Sequence, residues 1–312
     1  MTRAPRVALG PSALPQTTVG GEVQLAGMGL FSGHASRIAV RPAAAGTGIL
    51  FRVGDVCVPA HARHLDAQGV HTTGVAIGRA RFRALEHLLA ALHLLGVHNC
   101  EVVGLEGWEV PDLAGGACEP FVAAIRAIGV VPLDAPGQRL RITEPGTLAW
   151  DRSTASYEPR AGPHLELTVA IDFPTPIGQQ TARWSSDPAS VHHDVGSFER
   201  ARSFLRQDLA AVRSSGRDHW TEAGRSLPGL ARDLADVQHL AFRHGEWVIP
   251  PHHAAEPAWH KLVDLAGDLL LLGHPLQGRV DVHLPGHAFN HRLVLHLLGL
   301  LDPARPPTAA LA

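Results

Sequence analysis

One segment in the last quarter of the chain limits the possible folds more than any other. The stretch 258–268, AWHKLVDLAGD, places His260, Asp264 and Asp268 at intervals of four residues. On a helix with about 3.6 residues per turn these side chains form one stripe, and the leucines and the valine around them predict a helix buried on its other sides. Because a buried carboxylate without a partner is costly, the stripe must meet a cation, a network of hydrogen-bond donors or a metal ion.

The composition excludes several classes of protein. With 312 residues, 45% of them hydrophobic, the chain is long enough for two ordinary domains with a sizeable core. A formal net charge of -2 and the lack of a basic run argue against nucleic acid as a partner. No apolar stretch is long enough to span a bilayer or to serve as a signal peptide, so we expect no stable membrane insertion. Three cysteines without a CxxC spacing indicate neither a disulfide framework nor a thiolate zinc site and are typical of the reducing cytoplasm.

The order of the predicted elements repeats in the two halves of the chain. The helical pattern of residues 82–96 precedes a strand, a glycine-rich loop and a second helix, and residues 259–301 repeat this order. We therefore expect an α+β fold of two similar two-layer domains, each a sheet with a pair of helices, that arose by internal duplication and hold the active site between them. A repeat this degenerate also arises by coincidence. The expected limits are 1–134 for the first domain, 135–301 for the second and 302–312 for a disordered tail.

Short runs of alternating or β-branched residues predict the strands. They are RIAVRP (37–42), GILFRV (48–53), CEVVGL (100–105), RLRIT (139–143) and LELTVAIDF (165–173). A further helix is predicted over ERARSFLRQDLAAV, residues 199–212.

The stripe and its counterpart in the first half carry the residues most suited to chemistry. His260 and Asp264 can supply an imidazole nitrogen and a carboxylate oxygen to one metal ion, and His87 is a candidate third ligand that leaves a fourth position open. Glu86 adjoins His87, and a carboxylate beside a metal-bound water is suited to act as a general base in hydrolysis. From spacing alone, a core histidine with a hydrogen-bond partner is at least as sound an interpretation of each histidine.

Several segments, taken together and in order, resemble one known family. They are GMGLFSG (27–33), LEHLLAAL (85–92), RARSF (200–204), HKLVDLAGDLLLLG (260–273) and GHAFN (286–290). Over most of its length the chain resembles the zinc-dependent UDP-3-O-acyl-N-acetylglucosamine deacetylases of lipid A biosynthesis, the LpxC family. The combination of these segments is far more specific than any one of them.

The resemblance implies a role for each residue of the expected site. His87, His260 and Asp264 would bind a catalytic Zn²⁺, and a set of two histidines and a carboxylate also suits Fe²⁺. Glu86 would act as general base on the water. His287 would be protonated, would stabilise the developing oxyanion and would donate its proton to the leaving amine.

Further residues would support this chemistry. Asp268 would hydrogen-bond His287 and keep its imidazolium charged. Ser203 takes the place of a family threonine whose hydroxyl helps to hold the oxyanion, and Lys261 and Phe204 match residues near the substrate. The implied partner is a UDP-linked, acylated amino sugar, whose acetamide would be hydrolysed to acetate and a free amine by a monomeric enzyme.

The sequence departs from the family where the substrate would be recognised. Phe31 stands where members usually carry histidine, and Asp112 lies nearer the start of its loop than the family's aspartate. Residues 206–225, in the region that forms the passage for the acyl chain, are strongly charged. Two alternatives therefore stay open: a deacetylase of the same mechanism that acts on another N-acetylated sugar with a short or absent acyl chain, and a non-catalytic relative that uses the metal structurally.

Overall fold

The computed structural model describes residues 7–66, 72–206, 238–243 and 245–299. It is an α+β structure of mixed sheets with helices, which confirms the predicted α+β class, while the internal duplication stays a prediction. The helices are α1 Glu86–Leu94, α2 Glu119–Ile128, α3 Val195–Arg200, α4 Glu256–Leu269 and α5 His287–Leu297, with short 3-10 helices at Ala62–His64, Ala114–Gly116 and Leu270–Leu272. The strands are β1 Val7–Val19, β2 Val23–Met28, β3 Ala35–Pro42, β4 Ile49–Val53, β5 Val56–Pro59, β6 Gly74–Ile77, β7 Ala80–Arg83, β8 Cys100–Glu106, β9 Val130–Ile142, β10 Gly146–Trp150, β11 Ser153–Glu158, β12 Leu165–Phe173, β13 Gly178–Ser185, β14 Phe204–Arg206, β15 Leu240–Arg243, β16 Glu246–Ile249 and β17 Leu276–His283.

A five-stranded mixed sheet occupies the first half of the chain, with the strand order β2-β3-β8-β4-β5. Strand β3 runs antiparallel to β2 and β8, whereas β4 runs parallel to β8. Alternation at the start of β3 sets the faces of this sheet: Ser36 and Ile38 are buried, and Arg37 between them is exposed. Ala39 and Val40 are both fully buried, so both faces are covered further along the strand. Helix α2 packs against β2, so the apolar face is covered by a helical layer.

A seven-stranded mixed sheet occupies the second half and is built around β17. This strand is antiparallel to β11 and parallel to β12 and β9, and its alternate residues Val280 and Val282 are buried. Strand β1 pairs antiparallel with β9, so the first described strand belongs to the sheet of the second half. The predicted domain boundary after residue 134 falls within β9, and the domain limits stay a prediction.

Helix α4 is almost wholly enclosed. Every residue of this helix except Lys261 is buried. The burial follows from the packing of the helix, which contacts the strands β12 and β13 and the helices α1, α3 and α5. This confirms the expectation that the polar stripe lies on a helix buried on several sides. The stripe therefore needs partners from the neighbouring helices, and α1 and α5 supply them.

The predicted helix over residues 199–212 is wrong in its described part. Helix α3 ends at Arg200, and the residues that follow lead into β14, which pairs in parallel with β15. The Ser203 N–H donates to the Gly115 carbonyl at 2.9 Å, and the Ser203 carbonyl accepts from the Leu240 N–H at 2.8 Å. Hydrogen bonds to distant segments thus replace the helical bonds that the local pattern favoured.

Three predicted features fall outside the described residues. They are the tail 302–312, residues 207–212 of the predicted helix and all but the first residue of the charged segment 206–225. Within the described ranges, no helix is both long and apolar enough to cross a membrane.

Candidate metal centre and active site

Two helices from different halves of the chain bring three candidate metal ligands together. His87 is the second residue of α1, and His260 and Asp264 lie one turn apart on α4. The His87 Nε2 lies 3.2 Å from Asp264 Oδ1, the His260 Nε2 lies 3.4 Å from Asp264 Oδ2, and the two imidazole ring centres are 5.2 Å apart. One ligand atom from each residue lies within 4.8 Å of the others, a spacing that one metal ion can bridge.

The electrostatics of these residues fit a metal ion. Burial holds the pKa of His260 well below its ordinary value, so the imidazole is neutral and can ligate. Burial alone would raise the pKa of Asp264, but His260, Lys261 and His287 hold it well below the usual range, so the carboxylate is ionised. Burial also acts to lower the pKa of His87, yet Asp264 produces a net rise. The Asp264 carboxylate therefore favours a positive charge at the His87 ring, and a bound metal ion would supply that charge instead.

Glu86 begins α1, and donors from the segment before β6 hold its carboxylate. The Thr72 hydroxyl lies 2.8 Å from Oε1 and 3.0 Å from Oε2, and the Thr73 N–H donates to Oε2 at 3.0 Å. The Oε1 atom lies 3.7 Å from the Nε2 of His287. The carboxylate is thus held between the threonines and a histidine ring.

His287 begins α5, and its imidazole lies among three carboxylates. The Nδ1 atom is 3.0 Å from Asp268 Oδ2, and the Nε2 atom is 3.7 Å from Glu86 Oε1 and 3.8 Å from Asp264 Oδ2. Burial alone would lower the pKa of His287, but Asp268, Asp264 and Glu86 outweigh it and raise the pKa to about 9. The ring is therefore charged at neutral pH, and its Nε2 proton faces Glu86 and the metal ligands.

Asp268 is the third residue of the α4 stripe and is held by several donors. The Asn290 side-chain amide donates to Oδ2 at 2.9 Å, and the Thr73 hydroxyl donates to Oδ1. Burial would raise the pKa of Asp268, but the charge of His287 and these hydrogen bonds lower it. The ionised carboxylate fixes the orientation and the charge of the His287 ring.

A second group of possible ligand atoms includes Asp268 and His287 themselves. One ligand atom each from Asp268, His287 and His291 lies within 4.8 Å of the others. The His291 Nε2 is 2.8 Å from the Thr73 hydroxyl, and burial lowers the pKa of His291 to about 4. Because Asp268 already accepts hydrogen bonds from His287 and Thr73, this group supports the His287 ring instead of offering a free ligand set.

Two predicted substrate-binding residues lie at the edge of the metal centre. The Phe204 ring meets the His260 ring edge-on, with ring centres 5.8 Å apart. The Lys261 ammonium lies 5.4 Å from the Phe204 ring centre and 2.8 Å from Asp264 Oδ2. Lys261 therefore presents its charge beside the metal ligands, at the one position of α4 that is not buried.

Ser203 lies near His87, with Gly116 between the two side chains. A Cβ added to Gly116 would be 2.9 Å from Ser203 Oγ and 3.2 Å from His87 Cε1, so the two side chains flank this glycine. The φ of Gly116 is 78°, a left-handed conformation that favours glycine. The structure thus brings all nine predicted site residues into one cluster, while their individual roles stay predictions.

Sequence reasoning misses five residues that contact this cluster. They are Thr72, Thr73, His239, Asn290 and His291. Asn290 and His291 carry a detectable signal, because they follow His287 by three and four residues and so share its helical face. Thr72 and Thr73 lie on one other segment and His239 on a third, and none of them has a comparable local signal.

The two departures from the family occupy different places. The Asp112 Oδ2 lies 2.7 Å from the Nε2 of His239, and the Nδ1 of the same ring contacts the Ser203 hydroxyl. Phe31 lies in the loop after β2, where its N–H donates to Glu109 Oε2 at 3.2 Å.

Comparison with known proteins covers nearly the whole chain. A sequence profile of the LpxC family, described as UDP-3-O-acyl N-acetylglycosamine deacetylase, matches residues 16–299. The UDP-3-O-acyl-N-acetylglucosamine deacetylase of Thermosynechococcus vestitus is 36% identical over 277 residues, which are 86% of this chain and 90% of the relative. Deacetylases of the same name from Phenylobacterium zucineum and Hahella chejuensis are 33% and 30% identical, over 95% and 93% of this chain and 97% and 92% of the relatives. The matched range contains all nine residues of the cluster.

Proposed function

Because the chain belongs to the LpxC family, we propose that it is the zinc-dependent hydrolase that removes the N-acetyl group of UDP-3-O-acyl-N-acetylglucosamine in lipid A biosynthesis. One observation carries the proposal: two histidines and an aspartate come within ligating distance of one another, and a carboxylate and a charged histidine lie beside them. The reactants are water and the acetamide. The products are acetate and a free 2-amino sugar.

His87, His260 and Asp264 are the proposed ligands of the metal ion. Bound there, Zn²⁺ would polarise the acetamide carbonyl and make a water molecule a stronger acid. Three protein ligands would leave a position open for water and substrate, and the same donor set would also suit Fe²⁺.

Glu86 is the proposed general base. Its carboxylate is buried beside the ligand His87 and is held by Thr72 and Thr73, which leaves its orientation settled before the substrate binds. From this place Glu86 takes a proton from the attacking water, and the proton then stays on the carboxyl group until the products leave.

His287 is the proposed general acid. Its raised pKa of about 9 keeps the ring protonated at neutral pH, and Asp268 holds the Nδ1 side so that the Nε2 proton faces the site. The charged ring first stabilises the negative oxygen that develops on the acetamide carbonyl. It then donates the Nε2 proton to the amine as the carbon–nitrogen bond breaks.

Three residues at the edge of the site are proposed to bind the substrate. Ser203 offers its hydroxyl to the developing oxyanion from the side of His87. Phe204 and Lys261 present a ring face and a positive charge beside His260, which suits a sugar ring that carries anionic phosphates.

The arrangement of the elements supports the proposal that the site lies between two duplicated units. His87 and Glu86 come from α1 in the first half, and His260 and Asp264 come from α4 in the second half, each at a comparable place in its helix–strand–helix order. The contact between α1 and α4 then joins the two units at the metal centre. We place the reaction in the cytoplasm and expect the enzyme to act as a monomer.

The experiment that tests the function measures acetate release and metal content on one preparation. The substrates are UDP-3-O-acyl-N-acetylglucosamine with a long acyl chain and UDP-N-acetylglucosamine without one. Bound zinc with acetate released from the acylated sugar supports the proposal. Faster release from the unacylated sugar would favour the alternative substrate, and bound metal without release from either sugar would favour a non-catalytic relative.

A further inference from the structure

Three side chains form a continuous hydrogen-bonded chain that ends at Ser203, and the mechanism above does not use two of them. The Nδ1 atom of His239 contacts the Ser203 hydroxyl, and the Nε2 atom of His239 lies 2.7 Å from Asp112 Oδ2. The His239 side chain is only 2% exposed, and that of Asp112 is 22% exposed. These residues come from three separate segments, with His239 127 positions from Asp112 and 36 from Ser203.

The partners decide which atom donates in each contact. The Ser203 hydroxyl lies 3.3 Å from the Gly115 carbonyl oxygen and donates to it, because a carbonyl can only accept. The Ser203 oxygen therefore accepts from the Nδ1–H of His239. At the other side of the ring, the 2.7 Å contact has the length of a charge-assisted bond from an Nε2–H to the Asp112 carboxylate. Both ring nitrogens of His239 therefore face an oxygen atom, Nδ1 that of Ser203 and Nε2 that of Asp112.

The backbone of Ser203 is fixed by hydrogen bonds, so only its hydroxyl group can change direction. The Ser203 N–H donates to the Gly115 carbonyl, and the Ser203 carbonyl accepts from the Leu240 N–H. The hydroxyl is then packed against Gly116, whose other neighbour is the His87 ring. Because His239 donates from one side, the hydroxyl proton points away from His239, and the His87 ring lies across Gly116 from the hydroxyl.

We propose that Asp112 and His239 are positioning residues that hold the Ser203 oxygen as an acceptor, so that the Ser203 proton leaves its long 3.3 Å contact with the Gly115 carbonyl and turns to the negative oxygen that develops on the substrate. The inference rests on the proposed deacetylase function. Asp112 fixes the ring of His239, and His239 places a positive dipole behind the hydroxyl, which makes the hydroxyl a stronger donor. Ser203 keeps its proton throughout, and no covalent bond forms or breaks at this residue.

The proposal predicts a loss of kcat without a change in KM when His239 is removed. An interaction made only in the transition state lowers kcat and kcat/KM equally, and one oxyanion donor contributes about 100-fold to 1,000-fold. His239→Leu keeps Ser203 but removes the hydrogen bond that orients its hydroxyl, so we expect kcat to fall by about 10-fold to 100-fold. His239→Asn should recover most of this loss, because the asparagine amide nitrogen occupies the same place relative to Cβ as Nδ1 and can still donate to Ser203.

A double-mutant cycle tests whether His239 acts through Ser203. If it does, His239→Leu has no further effect on kcat in a Ser203→Ala background, and Asp112→Asn has no further effect in a His239→Asn background. Effects on kcat that multiply in both backgrounds would overturn the proposal, and so would a loss that appears in KM alone. Zinc content and thermal unfolding of every variant are measured beside the kinetics, so that misfolded variants are set aside and replaced by Asp112→Asn alone.

A readout without turnover separates this inference from the proposed function. In the zinc-loaded protein labelled with ¹⁵N-histidine, the His239 signals are identified as those missing from His239→Asn. Protons on both ring nitrogens, with one lost in Asp112→Asn, support the inference even if no acetate is released from the sugar. A His239 ring with an unprotonated Nδ1 would overturn it even in an active deacetylase.

Discussion

Gly267 of α4 packs directly on the backbone of α1: a Cβ built at residue 267 would lie 2.1 Å from the Glu86 carbonyl oxygen and 3.2 Å from the Ala90 nitrogen. Side chains do not approach backbone atoms so closely, so only glycine fits at this crossing. The close approach brings the two helices near enough for His87 on α1 to lie 3.2 Å from Asp264 on α4. The metal centre therefore depends on a missing side chain as well as on its ligands.

The variant Gly267→Ala tests this crossing. Alanine favours a helix by about 1 kcal/mol over glycine, but a clash with backbone in a packed core costs about 1 to 3 kcal/mol, so we expect a net loss of about 1 kcal/mol or more. Urea unfolding measures the change in stability, and kcat should fall because Glu86 and His87 are displaced. Gly21→Ala is the control, since a Cβ there meets nothing within 4 Å and should change stability by less than about 0.5 kcal/mol. Equal stability of the two variants would contradict the role given to the crossing.

The variant Glu86→Gln tests the general base. The amide keeps the size of the carboxylate and cannot take a proton, so we expect kcat to fall by about 100-fold to 10,000-fold with zinc still bound. Acetate release and metal analysis on the same sample measure both effects. The matched control is Glu119→Gln, because Glu119 also begins a helix but its side chain is exposed. Full activity in Glu86→Gln would remove Glu86 from the mechanism.

The pH dependence of kcat tests the general acid. His287 acts in its protonated form and its pKa is raised to about 9, so activity should fall as the pH rises through about 9. Asp268 is the largest of the charges that raise this pKa, and Asp268→Asn should therefore move the alkaline limb to lower pH. The comparison needs only the kcat profile of the two proteins. An unmoved limb would show that another group is responsible for it.

The same pKa predicts how stability changes with pH. Because the pKa of His287 is raised from 6.5 to about 9 on folding, the charged ring stabilises the folded state fully below about pH 6.5. This contribution is lost as the pH rises through about 9. Urea unfolding of the metal-free protein at pH 6, 8 and 10 measures the trend, and His287→Gln should flatten it. A wild-type stability that rises over this range relative to His287→Gln would reverse the sign and contradict the charge assignment.

Removal of a ligand tests the metal centre. His260→Ala should lose the bound zinc, because two protein ligands do not hold the ion as three do. A chelator should lower the Tm of the wild type and leave the Tm of His260→Ala unchanged, since a metal that binds only the folded state stabilises it. His252→Ala is the control, because His252 is an exposed histidine in the loop before α4. Equal zinc content in the two variants would exclude His260 as a ligand.

The helices that carry the site were predictable because their signals are local. The spacing of His260, Asp264 and Asp268 places them on one helical face whatever surrounds the helix, and the leucines around them need burial in any fold. The helix over 82–96 follows from the same periodicity and appears as α1, shortened at both ends. The segments around these residues were also specific enough to identify the family, which the comparisons confirm.

The failed helix over residues 199–212 shows the limit of local signals. Its apolar spacing fits a helix, but the backbone of Ser203 is bonded to Gly115 and Leu240, and a strand pair forms at that place. A backbone group can be satisfied by a hydrogen bond to a distant segment as well as by one within a helix. Only the folded chain shows which of the two sets forms.

The sequence by itself determined which helices form, which of their faces are polar and which family the chain resembles, because these properties depend on neighbours a few residues apart. Only the tertiary structure decided which polar groups meet. The contacts of Thr73 with Asp268, of Glu86 with Thr72 and of His239 with Asp112 join segments that no periodicity relates. These pairs form because the fold brings distant segments together around the crossing of α1 and α4. A buried charge or polar group there is stable only with a partner, and that partner comes from another segment.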